Sequence, residues 1–129
     1  MVGRHAERKN LLEQWGIQSL TPDQTVPLHH LSDIVIDATG PPKGFHLAQQ
    51  FVRPQGTIVL KTTCAGRPKV DLAKVVIDEV TIVGSRCGPF EPALEALAQK
   101  KVDVRSLIAE VFPLKKGKEA FRKAAERGV

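Results

Sequence analysis

The sequence contains few cysteines and few aromatic residues, and it has no long apolar run. Two cysteines, Cys64 and Cys87, are too few for the disulfide framework of a small secreted protein, so reduced thiols are expected. No apolar stretch approaches the roughly 20 residues that a membrane-spanning helix needs. The first residues also lack the apolar segment of a secretory signal, so the sequence predicts a cytoplasmic protein without a membrane partner.

The scarcity of aromatic residues also argues against nucleic-acid binding. The chain has five Phe, one Trp and no Tyr, with 19 Lys and Arg against 14 Asp and Glu and a net charge of +5. Proteins that bind single strands combine a basic groove with clustered aromatic side chains. Here the basic residues are scattered and interrupted by glutamates, as on solvated helix faces. The composition predicts no nucleic-acid partner and favours small anionic ligands, above all phosphates.

The chain does show a regular alternation of β-branched apolar runs and helical stretches. The apolar runs predict strands at residues 33–39, 57–61 and 80–86. Helices are predicted where apolar residues recur every three or four positions, at residues 6–15, 45–52, 90–98 and 114–127. Strands that alternate with helices indicate a parallel sheet covered by helices. We therefore expect an α/β fold with the three strands side by side in chain order.

Both ends of the chain carry further local signals. Gly16 follows the first helix, where a glycine often ends a helix. Residues 18–20 are compatible with a short strand, and residues 106–112 resemble an extended segment that ends at Pro113. The last helix is expected to turn four apolar residues inward, namely Ala120, Phe121, Ala124 and Ala125.

The histidines and cysteines do not suggest a reactive centre. His29, His30 and His46 have no cysteine or carboxylate at the spacing of a zinc site, which usually needs four ligands. Cys64 and Cys87 have no base beside them in the sequence that would activate a thiol. We therefore predict no metal ligand and no catalytic residue in this chain.

Several phrases of the sequence, in this order, resemble the cofactor domain of the medium-chain, zinc-type alcohol dehydrogenases. They are Asp37–Gly40, Val52–Lys61, Val70–Leu72, Asp78–Gly88, Val102–Asp103, Phe112–Leu114, Ala120–Phe121 and Ala124–Gly128. No single phrase is specific to that family, but the ordered set is, and it extends over essentially the whole chain.

The resemblance implies a partial Rossmann-type sheet flanked by helices. Residues 1–105 would form a dinucleotide-binding domain that lacks its first strand and its glycine-rich phosphate loop. Residues 106–129 would be a return segment that packs on a catalytic domain absent from this chain, as is that domain's zinc. The implied function is the C-terminal portion of an NAD(P)-dependent alcohol dehydrogenase-like oxidoreductase, inactive in isolation. The alternative is a non-catalytic remnant that serves as a dimerisation or nucleotide-binding module.

The resemblance also implies where the cofactor would bind. Residues after the predicted strands or at the start of the chain would contact it: Gly3, Arg4, His5, Arg8, Ala38, Thr39, Gly40, Leu60, Lys61, Ser85, Arg86 and Cys87. Gly3 stands where the family has an acidic residue for the ribose of NAD, and Arg4 and Arg8 suit the 2′-phosphate of NADP, so NADP is favoured over NAD. The alternative is that these cations are exposed without a ligand and that Ala38–Gly40 is a plain strand-to-helix turn.

A missing first strand would leave the edge of strand 33–39 unpaired, and such an edge associates readily with other strands. We therefore predict a homodimer, either through strand 80–86, as the resemblance implies, or through this edge. Two other outcomes stay open: residues 18–20 or 106–112 pair with the edge, or a partner chain supplies the absent half.

Overall fold

A computed structural model of the chain describes residues 1–3, 6–24, 29–63 and 69–126, with only the backbone described at residues 6–8. The helices and strands are α1 (Ala6–Gln14), β1 (Ser32–Asp37), α2 (Lys43–Phe51), β2 (Val52–Leu60), α3 (Leu72–Ile77), β3 (Thr81–Gly84), α4 (Phe90–Ala98) and α5 (Gly117–Ala124). Short 3₁₀ turns cover Pro22–Gln24, Arg105–Leu107 and Leu114–Lys116. Within the described ranges, no helix is long and apolar enough to cross a membrane.

The chain forms two compact units. One unit consists of Val2 and Leu20–Cys87 and contains the sheet with α2 and α3. The other consists of Met1, Gly3–Ser19 and Gly88–Val129 and contains α1, α4 and α5. The domain boundary at residues 105 and 106 stays a prediction.

The sheet has the strand order β1-β2-β3, and both neighbouring pairs are parallel. Val35 lies beside Ile58 and Ile58 beside Ile82, so the three apolar runs are in register. The prediction of an α/β fold with three parallel strands in chain order is confirmed.

The second strand is longer than the sequence predicted. β2 begins at Val52, directly after α2, and runs through Pro54 and Gln55, which the sequence analysis left outside the strand. Gln55 has a φ of 60°, and the pairing with β1 shifts in register between Ser32 and Ile34. This irregularity lets the chain pass the proline, which has no N–H for a ladder hydrogen bond, and continue as a strand.

Helix α2 covers one face of the sheet. Phe45 and Ala48 of the helix are buried with Val52 and Ile58, and half-buried Val35 packs against them. This is the helical face that the sequence predicted for residues 45–52, since α2 spans Lys43–Phe51 after the two prolines at 41 and 42. The core therefore holds the ends of β1 and β2 in fixed positions relative to each other.

The outer edge of β1 stays free within the described residues, since β1 pairs only with β2. Ile34 and Ile36, on the face opposite α2, are 64% and 62% exposed. The suggestion that residues 18–20 pair with this edge is wrong, because Leu20 forms an isolated parallel bridge with Val2 instead.

The segment expected to be extended at residues 106–112 begins in a 3₁₀ turn at Arg105–Leu107, so the expectation is wrong for residues 106 and 107, and the backbone is extended again at Ile108. The Asp103 carboxylate accepts the backbone N–H groups of Arg105 and Ser106 at 3.0 and 3.3 Å. Such a side-chain contact offers the backbone a turn in place of a strand. The hydrogen bonds from Ser106 also hold the pKa of Asp103 below its usual value.

The last helix forms as predicted, but its apolar residues are not turned inward. A 3₁₀ turn at Leu114–Lys116 leads into α5, where Phe121 is 82% exposed and Ala124 and Ala125 are exposed as well. The periodicity of a helix predicts which residues share a face, whereas burial also requires a second surface against that face. The expectation of inward packing is therefore wrong for these three residues.

An exposed ion pair joins β1 to the start of β2 and makes stability depend on pH. Arg53 Nε lies 2.7 Å from Asp33 Oδ1, and this hydrogen bond, with the charge of Arg53, holds the pKa of Asp33 below its usual value of 3.8. A lowered folded-state pKa means that the pair stabilises the protein above the unfolded-state pKa and loses this contribution as the pH falls through the folded-state pKa.

We therefore expect Asp33→Asn to be slightly less stable than the wild type at neutral pH, with the difference shrinking as the pH falls through the folded-state pKa of Asp33. The effect is small because both side chains are exposed. Urea unfolding of both proteins across the acidic range measures it. Asp23→Asn, which alters an exposed aspartate in a 3₁₀ turn, is the control. A difference that does not change with pH would contradict the assignment.

Candidate functional site

The carboxyl ends of the three strands lie together at one edge of the sheet. The backbone carbonyl of Asp37, at the end of β1, accepts the N–H groups of Lys61 and Thr62 at 2.9 and 3.1 Å. The N–H of Ser85 donates to the carbonyl of Leu60 at 2.9 Å, which extends the pairing of β2 and β3 beyond Gly84. The chain therefore leaves all three strands from neighbouring positions.

A buried carboxylate ties the end of β1 to the end of β2. Asp37 is only 4% exposed, and its Oδ1 accepts the Thr39 N–H at 3.0 Å, the Thr39 hydroxyl at 2.8 Å and the Thr62 hydroxyl at 3.1 Å. Thr62 Oγ1 in turn accepts the N–H of Gly40 at 3.1 Å. A buried carboxylate needs such donors to compensate for lost hydration. Among the described residues, the second oxygen, Oδ2, has no hydrogen-bond partner.

Two glycines allow the loop after β1 to close around this carboxylate. Gly40 has a φ of 91°, a conformation that side chains strongly disfavour. Gly44, near the start of α2, leaves no space for a side chain, since a Cβ there would lie 1.8 Å from Thr39 Oγ1 and 2.5 Å from Asp37 Oδ1. The start of α2 is thereby pressed against the end of β1.

A cavity of about 200 Å³ lies beside the carboxylate. Its lining is apolar apart from one carboxylate and one hydroxyl, and consists of Asp37, Pro41, Pro42, Phe45, Leu60, Thr62, Val70 and Ile82. A pocket of this kind accepts a small apolar group and offers it a few polar atoms for orientation.

At the end of β2, a lysine side chain connects the second strand to the third. Lys61 Nζ donates to the backbone carbonyl of Arg86 at 2.9 Å and lies 3.4 Å from Ser85 Oγ. Arg86 and Cys87 are exposed, and the Cys87 thiol is free.

The structure thus brings together eight of the twelve residues that the resemblance assigned to the cofactor. They belong to one unit and follow its three strands: Ala38, Thr39, Gly40, Leu60, Lys61, Ser85, Arg86 and Cys87. Gly3 is exposed and belongs to the other unit. Arg4 and His5 lie outside the described residues, and the side chain of Arg8 is not described. The role of each residue in binding stays a prediction.

Sequence reasoning missed two residues that organise this edge. They are Asp37, whose carboxylate accepts the hydroxyl of Thr39, and Gly44, which packs against that carboxylate. A local signal for Asp37 exists, because an aspartate two residues before a threonine at a strand end often accepts that residue's N–H. The close approach of Gly44 depends on tertiary packing and has no such local signal.

The described residues bring no three His, Cys, Asp or Glu side chains together as a metal site.

The chain is similar to parts of curated dehydrogenases and reductases. No family model matches the chain. Human sorbitol dehydrogenase is 32% identical over 91 residues, which cover 69% of this chain and 26% of the relative. The Aspergillus clavatus protein named "Probable D-xylulose reductase A" is 29% identical over 102 residues, which cover 76% of this chain and 28% of the relative. The chain is a relative of the medium-chain, zinc-type alcohol dehydrogenases.

Solved structures of dehydrogenases share the fold of this chain. L-Idonate 5-dehydrogenase from Escherichia coli K-12 superposes with a TM-score of 0.85 and 17% identity, over 98% of this chain and 39% of the other. A zinc-binding dehydrogenase from Sinorhizobium meliloti 1021, whose structure contains NADP, gives a TM-score of 0.72 and 18% identity. The superposition covers 84% of this chain and 36% of that protein. The expected Rossmann-type fold is confirmed. The chain spans about a quarter of the length of the curated relatives it matches.

Proposed function

We propose that the carboxyl edge of this sheet binds the dinucleotide NAD(P), and that the chain is the C-terminal, cofactor-binding portion of a dehydrogenase-like oxidoreductase. The observation that carries the proposal is that three parallel strands end at one edge of the sheet, beside a small apolar cavity lined by the ends of β1 and β2 and by Ile82 of β3. In open α/β sheets, ligands bind outside the carboxyl ends of the strands. Kinship to sorbitol dehydrogenases supports an oxidoreductase over other ligand-binding proteins.

The residues at the edge fit one part of a dinucleotide. The cavity of about 200 Å³ is smaller than the ~300 Å³ at which ligand pockets usually begin, so it suits a single flat ring between Pro42, Phe45 and Ile82. Asp37 Oδ2, which has no partner among the described residues, is an acceptor for an amino or hydroxyl group. Gly40 allows a close approach to the backbone.

We further propose that NADP is preferred over NAD. Support comes from the sequence, which has Gly3 in place of a carboxylate that would repel the 2′-phosphate, followed by Arg4 and Arg8. Charge-assisted hydrogen bonds from arginine to a phosphate are strong.

A calorimetric titration of the full chain with both dinucleotides tests these proposals. We expect millimolar affinity or better, with NADP bound more tightly, and we expect Arg8→Gln to weaken NADP binding about tenfold without changing NAD binding. Lys9→Gln, which removes the neighbouring charge that pairs with Glu13, is the matched control. If neither dinucleotide binds, the proposed function fails. If NAD binds as tightly as NADP, only the preference fails.

Hydride transfer by this chain alone is not part of the proposal. The relatives are about three to four times longer than the matched portion, and the sequence contains no Gly-x-Gly-x-x-Gly turn for a pyrophosphate. We expect no reduction of NADP by the purified chain in the presence of a polyol such as sorbitol. A catalytic turnover that follows the chain through purification would contradict this.

The exposed edge and face of β1 favour a second candidate function, a dimerisation module. Ile34 and Ile36 are exposed beside an edge that is unpaired among the described residues. We propose a homodimer through this edge or through β3 (Thr81–Gly84). Light scattering during size-exclusion chromatography decides this point, since a uniform monomer at high concentration would reject the dimer.

A further inference from the structure

A lysine at the carboxyl end of β2 holds its positive charge between two neutral partners. Lys61 Nζ donates to the Arg86 carbonyl at 2.9 Å and to Ser85 Oγ at 3.4 Å. An ammonium has three N–H donors, so one of them stays available. None of the carboxylates in the described part of the chain forms an ion pair with it. The ammonium is therefore held in position without being neutralised.

A second cation is Arg86, whose backbone carbonyl accepts the hydrogen bond from Lys61. Arg86 is exposed, and its guanidinium makes no hydrogen bond or ion pair with a described residue. Ser85 Oγ accepts from Lys61, which leaves the Ser85 hydroxyl hydrogen free to donate elsewhere.

The charges on the adjoining elements do not compensate these cations. Asp37, at the end of the neighbouring β1, directs its carboxylate to the hydroxyls of Thr39 and Thr62 and does not pair with Lys61. No carboxylate of the described residues forms an ion pair with Lys61 or Arg86.

We propose that Lys61, Ser85 and Arg86 form a binding site for an anionic group, a phosphate or carboxylate. An ammonium, a guanidinium and a hydroxyl together supply the donors that such a group accepts. The site lies at the sheet edge where ligands of α/β folds bind. This inference rests on the proposed function, because the same three residues belong to the predicted cofactor site, and the anion is either a phosphate of the dinucleotide or part of a second, acidic ligand.

Titration of the full chain with inorganic phosphate, followed by amide NMR at constant ionic strength, tests the site. We expect saturable shifts at residues 61, 85 and 86. Lys61→Met and Lys61→Gln should each weaken binding about tenfold, whereas Lys61→Arg should retain it. The glutamine keeps a donor for the Arg86 carbonyl, so a lysine that only braced the two strands would leave Lys61→Gln close to wild type. Lys118→Gln, which removes an exposed charge from α5, is the control and should bind like wild type.

Two results would overturn the proposal. One is a linear, unsaturable response at these amides. The other is unchanged phosphate affinity in both Lys61→Gln and Arg86→Gln, where the arginine variant serves if the lysine variants do not fold. Competition between phosphate and NAD would identify a dinucleotide phosphate as the anion. Simultaneous binding of phosphate and NAD would identify a second ligand.

The failure of this inference is distinguishable from failure of the proposed function. Binding of a dinucleotide without saturable phosphate binding would remove only the anion site. Phosphate binding at Lys61 without dinucleotide binding would leave the anion site in place and remove the dinucleotide proposal.

Discussion

Gly44→Ala is expected to destabilise the unit that contains the sheet by about 3 kcal/mol. The added Cβ would lie 1.8 Å from Thr39 Oγ1 and 2.5 Å from Asp37 Oδ1, so the start of α2 must move away from the end of β1. Because Phe45 and Ala48 follow directly and are buried in the core, this movement also disturbs the packing on Ile58. Native-state hydrogen exchange of the β2 amides measures the loss, since these amides report on this unit.

Gly84→Ala is the matched control for this experiment. Gly84 ends β3 in the same unit, and a Cβ there would meet no atom within 4 Å. Since glycine in a strand is less favourable than alanine, we expect no loss or a gain of about 0.5 kcal/mol. Equal effects of the two substitutions would contradict the close approach of Gly44.

Asp37→Ala is expected to cost a similar amount, about 3 kcal/mol, by a different mechanism. The carboxylate is almost completely buried and accepts three hydrogen bonds from Thr39 and Thr62. Its removal deprives the Thr39 N–H of its acceptor and leaves the Thr39 and Thr62 hydroxyls only the longer contacts to the backbone carbonyls of Pro41 and Asp37. A hydrogen bond to a charged group contributes about 1.5–3 kcal/mol. The same hydrogen-exchange measurement records the effect.

Asp37→Asn separates the hydrogen bonds from the volume of the side chain. Asparagine has the same shape and keeps one oxygen as an acceptor, so we expect a loss of only about 1 kcal/mol. If the asparagine and alanine variants were equally unstable, the hydrogen bonds of Oδ1 would not be the stabilising feature.

The sequence was sufficient to predict the helices and strands that have a regular pattern of apolar residues. The three apolar runs became parallel neighbours in chain order, and the helix after the two prolines covers them as expected. Gly16, with a φ of 69°, ends α1 as predicted. Such local patterns determine structure directly, because burial and backbone preference agree at each position.

The predictions that were wrong share a physical cause, because they depend on contacts that the hydrophobic pattern of the sequence does not reveal. Asp103 folds residues 105–107 into a turn through its own side chain, and Gln55 carries β2 through a region with a proline. The periodicity correctly predicts the helical face on which Phe121 lies. It does not predict whether another surface covers that face, and Phe121 is exposed. At the candidate site, the strand ends were predictable, whereas the role of Asp37 depends on the distant Thr62.

The most direct test of the proposed ligand edge is amide NMR of the full chain during titration with NADP. We expect saturable shifts concentrated at the carboxyl ends of the three strands, at residues 38–40, 60–62 and 85–86, with the amino ends of β1 and β3 unaffected. Shifts confined to those amino ends, or none at millimolar NADP, would contradict the claim that this edge of the sheet binds the cofactor.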